Sequence, residues 1–164
     1  MDKVRIAVVG LGNIGSTHLR NIAQEPKVEL TAVCDIVPEK ADAAAEKYGA
    51  KAYYDSDRML QDHVSDAVII ATPHYAHTTI GIAALQSGHH VLVEKPISVH
   101  KADAQRLIAA HTDPDLVFAA MFNQRTDPRY QKIRQIVKSG ELGQLLRVNW
   151  IITNWFRTQT YFNS

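Results

Sequence analysis

The chain of 164 residues has a single cysteine, Cys34. One thiol cannot form an intrachain disulfide, which excludes a disulfide scaffold and makes a reducing compartment the natural setting. Long apolar runs are also missing: none approaches the roughly 20 residues that cross a bilayer. The opening Met1-Asp2-Lys3-Val4-Arg5 leads straight into a short apolar run ending at glycine. A signal peptide needs a longer apolar region and a small-residue cleavage site. These readings lead us to expect a soluble, cytoplasmic protein with no membrane partner. Excess charge of one sign is absent too, since Lys+Arg 18 against Asp+Glu 17 leaves +1. That balance provides no broad basic field for phosphates, so nucleic acid is not an expected partner. What is present is 46% hydrophobic and 21% charged residues, ordinary for a globular chain long enough for one domain and part of another.

Over the first 120 residues, short β-branched runs alternate with longer amphipathic segments. Strand candidates are residues 4–9, 29–34, 67–70, 90–93 and 116–119, several almost continuously apolar, as when both faces of a parallel sheet are covered. Helix candidates are residues 14–24, 38–48, 75–87 and 99–111, with a shorter piece near 58–62. Pro38 suits a first helical turn, and Gly49 and Gly88 suit helix ends. The alternation implies βαβ units and a doubly wound α/β sheet.

After residue 121 the pattern changes. Residues 128–139 read as a helix closed by Gly140. Its basic residues, Arg129, Lys132, Arg134 and Lys138, fit a solvated face better than a nucleic-acid surface. Residues 144–153 then read as a strand. Leu146, Val148, Trp150 and Ile152 form an apolar face alternating with Arg147, Asn149, Ile151 and Thr153. Trp150, Trp155, Phe156, Tyr161 and Phe162 crowd the last fifteen residues. Such a strand has no partner in the sequence after it, and its apolar face predicts self-association.

The sharpest local feature is Gly10-Leu11-Gly12-Asn13-Ile14-Gly15 between a strand and a helix, with Asp35 twenty residues further on. In a dinucleotide site Gly10 permits the tight turn, Gly12 lets a pyrophosphate approach the backbone, and Gly15 lets helix and strand pack closely. The helix N-terminus aims unpaired N–H groups and its positive dipole end at the diphosphate. Asp35 can accept from a ribose 2′-OH and would repel a 2′-phosphate, so NAD is preferred over NADP. The competing reading is an ordinary glycine turn with a surface aspartate.

Three more polar clusters fall at strand ends, where ligands sit in open α/β sheets. The first is Thr72-Pro73-His74-Tyr75-Ala76-His77. His74 and His77 are spaced to share a zinc ion, but no third ligand is evident and no metal site is expected; packing beside a cofactor is the other role. His89 and His90 read as a solvated turn, and His18, His63, His100 and His111 show no constellation. The second cluster is Glu94-Lys95-Pro96. There Lys95 can act as an acid/base group, Glu94 can anchor the loop and Pro96 can set a rigid or cis turn. A surface turn is the alternative. The third is Asn123-Gln124-Arg125, able to orient substrate hydroxyl or carboxylate groups, or else an interdomain hinge.

Taken together, Gly10–Gly15, Asp35, Thr72-Pro73 with His77, Gly88 through Pro96, Asn123-Gln124-Arg125 and Ser139-Gly140-Glu141-Leu142-Gly143 resemble the Gfo/Idh/MocA oxidoreductase family. That family includes glucose–fructose oxidoreductase, inositol dehydrogenase and relatives. The resemblance covers essentially the whole chain, and Glu94-Lys95-Pro96 in register with the glycine turn is its most specific element. It implies a Rossmann fold that uses NAD or NADP to oxidise or reduce a hydroxyl of a sugar, polyol or related small molecule. It further implies that Lys95 is catalytic and that Gly10, Gly12, Asn13 and Ile14 meet the diphosphate. Asp35 would meet the adenosine ribose, while Thr72, Pro73, His77, Glu94 and Asn123 line the cofactor crevice. Lys95 and Arg125 are the candidates for substrate contact.

Family members are roughly twice as long, with a second α/β domain built on a large antiparallel sheet. The expected organisation is therefore a Rossmann domain over residues 1–120 and the incomplete start of a substrate and oligomerisation domain over 121–164. On this reading the parent forms a homo-oligomer through the C-terminal sheet, and this chain alone is inactive. A non-catalytic NAD-binding regulatory or sensor module is the alternative.

Overall fold

Six short strands, most of them rich in apolar residues, form one parallel sheet. The computed structural model describes residues 3–153 and 156–159. In chain order the first elements are β1 (Val4–Val9), α1 (Asn13–Ile22), β2 (Val28–Cys34), α2 (Pro38–Tyr48), β3 (Lys51–Tyr53) and α3 (Ser56–Gln61). There follow β4 (Ala67–Ile70), a 3-10 turn (His74–Ala76), α4 (His77–Gln86), β5 (His90–Val93), α5 (Lys101–Ala109) and β6 (Phe118–Ala120). All neighbours pair in parallel, in the order β3-β2-β1-β4-β5-β6. The order reverses between β1 and β4, and the crevice beyond their carboxyl ends is the natural ligand position in such a sheet.

The period-2 alternation of a strand divides the core between two layers. Ala7 and Val9 of β1 join Val68, Ile70, Val91 and Val93 under Met59, Leu85 and Leu107 from α3, α4 and α5. Val8 turns to the opposite face with Val33 and Ile69, where Leu19 and Ile22 of α1 and Ala41 of α2 cover it. Each fully buried Val, Leu or Ile contributes about 1.5–3 kcal/mol relative to exposure. This covering holds the crevice-forming strand ends in register.

The doubly wound sheet is as the sequence implies. Three details differ. β3 has only three residues and a Lys-Ala-Tyr pattern too short to read; its pairing with β2 defines it. His89 is 1% exposed rather than part of a solvated turn, and its ring stacks on His63 at 5.3 Å. The expected strand over 144–153 forms no ladder, and Ile151 is as exposed as the residues of the other face. A strand exists only through a partner for its N–H and C=O groups, and no neighbouring strand is found there among the described residues.

The contacts divide the chain into two compact units, the first ending at Phe122 and the second beginning at Asn123. Within the second lie a 3-10 turn (Asn123–Arg125) and α6 (Pro128–Ser139). The Asp127 carboxylate caps α6 by accepting from the Arg129 N–H at 2.9 Å. Gly140 ends it in the left-handed conformation, φ +78°. Tyr130 stacks on Trp150 with ring centroids 5.5 Å apart. Trp155, Tyr161 and Phe162 lie outside the described residues. Among the described residues no helix is long and apolar enough to cross a membrane.

Candidate functional site

The glycine turn between β1 and α1 sits at the point where strand order reverses. Gly10 has φ +89° and donates its N–H to the Cys34 carbonyl at 2.8 Å. A Cβ at Gly10 would lie 2.6 Å from the Thr72 nitrogen, so the turn presses against the exit of β4. A Cβ at Gly15 would fall on the Gly10 carbonyl oxygen, so α1 packs directly on the turn. Gly12 is the opposite case, with no atom within 4 Å of a built Cβ. It begins α1 with extended backbone and no side-chain cap. The first N–H groups of α1, including those of Asn13 and Ile14, have no partner within the helix.

Asp35 follows β2 and reaches the same turn. Its Oδ2 accepts from the Leu11 N–H at 2.8 Å and its Oδ1 accepts from the Val37 N–H at 2.9 Å. Each carboxylate oxygen keeps further acceptor capacity. Beside Gly10, Thr72 Oγ1 is buried without a hydrogen-bond partner, an arrangement that calls for an explanation. The open cradle over Gly12, the uncapped helix, the anchored carboxylate and this orphaned hydroxyl all fit a dinucleotide. Neighbouring Cys34 is no nucleophile, because burial pushes its thiol pKa up to about 12.

The exit of β5 is held from two sides. Glu94, 5% exposed, places Oε1 at 2.8 Å from Nε2 of His18 on α1, and its Oε2 accepts from the Lys95 N–H at 3.1 Å. His77, at the start of α4, is fully buried. Its Nδ1 lies 2.9 Å from the Pro96 carbonyl oxygen and its Nε2 lies 2.9 Å from that of Thr72. Thr78 and Ser98 hydroxyls meet at 2.8 Å. Between these ties Lys95 is exposed, and the Lys95–Pro96 peptide is cis.

Gly10, Gly12, Asn13, Ile14, Gly15, Asp35, Thr72, Pro73, Glu94 and Lys95 thus gather around the carboxyl ends of β1, β2, β4 and β5. Glu94 and His77 are expected along the crevice surface. Both side chains are buried and hydrogen-bonded to protein partners, and Glu94 ties the Lys95 loop to α1. His77 also has both ring nitrogens at carbonyl oxygens, leaving neither for a metal shared with His74. Among the described residues no group of three or more His, Cys, Asp and Glu could hold a metal ion. Asn123 and Arg125 belong to the second unit. There Asn123 Oδ1 accepts from the Gln124 N–H at 3.0 Å, and the Arg125 carbonyl accepts from Gln131 Nε2 at 3.2 Å.

His18 is the residue that sequence reasoning passes over. Its spacing puts it on the buried side of α1 with Leu19 and Ile22. Its carboxylate partner is 76 positions away and becomes visible only in three dimensions.

A parallel sheet with this strand order and a glycine turn at its reversal defines a dinucleotide-binding Rossmann domain. The chain belongs to the Gfo/Idh/MocA family, whose model, described as an oxidoreductase family with an NAD-binding Rossmann fold, matches residues 4–122. Inositol 2-dehydrogenase of Salmonella typhimurium is 39% identical over 150 residues, which is 89% of this chain and 45% of that protein. The crystal structure of scyllo-inositol dehydrogenase from Lactobacillus casei with bound NAD(H) and scyllo-inositol matches with a TM-score of 0.80 at 34% identity. That match covers 87% of this chain and 43% of the other. The WlbA dehydrogenase from Bordetella pertussis, in complex with NADH and UDP-GlcNAcA, matches with a TM-score of 0.82 at 30% identity, covering 87% of this chain and 44% of the other. The chain therefore spans less than half the length of these relatives.

Proposed function

We propose that this chain is the NAD(H)-binding part of an oxidoreductase acting on a hydroxyl or carbonyl of a polyol or sugar-like substrate. The observation that carries the proposal is the Gly10–Gly15 turn with the Asp35 carboxylate anchored on it at 2.8 Å. Backbone N–H groups after Gly12, at Asn13 and Ile14, receive the diphosphate, while Gly10 and Gly15 shape the turn. Asp35 accepts from the adenosine ribose and disfavours a 2′-phosphate, so NAD is preferred to NADP. Thr72 and Pro73 border the crevice, with the Thr72 hydroxyl supplying a hydrogen bond to the cofactor.

Bound NAD(H) supplies the hydride chemistry. Lys95 handles the proton, taking it from the substrate hydroxyl on oxidation and returning it on reduction. Asn123 and Arg125 keep the roles that the resemblance implies, cofactor contact and substrate orientation. The inositol dehydrogenases among the relatives support a polyol substrate. The lone buried Cys34 suits a reducing cytoplasm, and the apolar residues 146–152 suit a homo-oligomer.

Calorimetric titration of the chain with NADH tests the reading. Saturable one-to-one binding is expected, weakened at least tenfold by Asp35→Ala, with NADPH bound more weakly than NADH. Absence of saturable binding, or binding indifferent to Asp35→Ala, overturns it.

A further inference from the structure

The helix that opens on the glycine turn also reaches the lysine loop. Gly12 begins α1, and His18, within the second turn of the same helix, is 8% exposed and touches Glu94. A carboxylate only accepts, so the ring N–H of His18 donates to Glu94 Oε1 at 2.8 Å. The other oxygen of the same carboxylate accepts from the Lys95 N–H at 3.1 Å. Glu94 is fixed from behind as well, its own N–H donating to the Ile70 carbonyl at 2.9 Å. Both side chains of the pair are about nine-tenths buried. Loss of one partner leaves the other unsatisfied in a poorly solvated place.

We propose that His18 is a positioning residue for Lys95, acting through Glu94. It makes one buried link between the helix whose N-terminus would receive the diphosphate and the loop that presents the lysine. The proposal rests on the reading of Lys95 as the proton-handling group beside the nicotinamide. Gly12, Asn13 and Ile14 set where the cofactor enters, and His18 carries that placement six residues along a rigid helix to the Lys95 backbone. Without the His18 N–H, the Glu94 carboxylate is free to turn, and the Lys95 amide loses a fixed acceptor. His77 and the Thr78–Ser98 pair hold the far side of the loop at Pro96 and Ser98, which leaves the Lys95 end dependent on His18.

Two measurements on this chain test the link. The first is amide hydrogen exchange at Lys95 without cofactor. The second is acetylation of the Lys95 side chain with and without NADH, read by mass spectrometry against Lys101 on α5. His18→Leu is expected to speed Lys95 amide exchange at least tenfold while β1 and β4 exchange within twofold of the unaltered chain. NADH affinity stays within threefold, yet NADH no longer shields Lys95. His18→Gln, which keeps an N–H donor at similar reach, restores slow exchange and shielding. Unchanged exchange and shielding in His18→Leu overturn the proposal. So does faster exchange throughout the sheet in both His18→Leu and His18→Met, which marks His18 as core only. If the unaltered chain binds no NADH, the functional reading above fails, and the amide measurement still decides whether His18 holds Lys95.

Discussion

Asp35 binds the glycine turn directly: its Oδ2 accepts from the Leu11 N–H at 2.8 Å, across 24 positions of sequence. The residue that sequence spacing assigns to a ribose is therefore also a brace for the glycine turn. Its second oxygen holds the Val37 N–H, so the carboxylate is oriented before any ligand arrives. Asp35→Asn keeps one carbonyl acceptor and loses the charge. It should cost about 1.5–3 kcal/mol of stability in urea unfolding, as expected for a hydrogen bond to a charged group. It should also narrow the gap between NADH and NADPH affinity, read by calorimetry, because repulsion of a 2′-phosphate is lost with the charge.

Two glycines of one turn should respond in opposite ways. Gly15→Ala puts a methyl group onto the Gly10 carbonyl, and overpacking of this kind should cost about 3 kcal/mol or more, visible as a lowered unfolding midpoint. Gly12→Ala meets no atom within 4 Å and should cost about 1 kcal/mol or less. Its methyl fills the cradle instead, so NADH affinity should fall at least tenfold with the fold intact. Equal stability losses in the two variants would contradict this account.

His89 sets a pH dependence that is independent of the cofactor. Its pKa is lowered from 6.5, first by burial and then by the neighbouring His63, and neither ring nitrogen has a hydrogen-bond partner. The unfolded chain binds a proton near pH 6.5 that the folded chain refuses. This contribution to stability is thus complete above that pH and is lost as pH falls from there toward the lowered folded value. Urea midpoints should drop between about pH 7.5 and 5.5, and His89→Leu should flatten that slope. Removing an orphaned buried group should also leave stability at the higher pH unchanged or raised by about 1 kcal/mol.

Leu146 and Val148 are 88% and 73% exposed, on a segment that also exposes Trp150, Ile151 and Ile152. Contiguous apolar surface of this kind associates. Sedimentation velocity should show mass rising with protein concentration, and Leu146→Glu with Val148→Lys should suppress the rise. A single monomeric species for the unaltered chain at high concentration would remove this prediction.

Much of this molecule was readable in one dimension because it depends on local rules. Runs such as Val4–Val9 and Ala67–Ile70 are apolar on both faces, so they belong in a covered parallel sheet. The Gly10–Gly15 turn and Asp35 announce themselves by spacing, since Gly10 and Gly15 each answer a backbone need that a neighbouring element imposes. Other features depend on distant partners. β3 exists because β2 lies beside it, and residues 144–153 form no ladder because an apolar alternation does not create the neighbour it needs. His77 and Glu94 stand at strand ends in the sequence, but their partners, two backbone carbonyls and His18, are set by folding. The His18–Glu94 contact joins positions 76 apart. Periodicity says which face of a helix is buried, but only three-dimensional packing selects the polar partner waiting there.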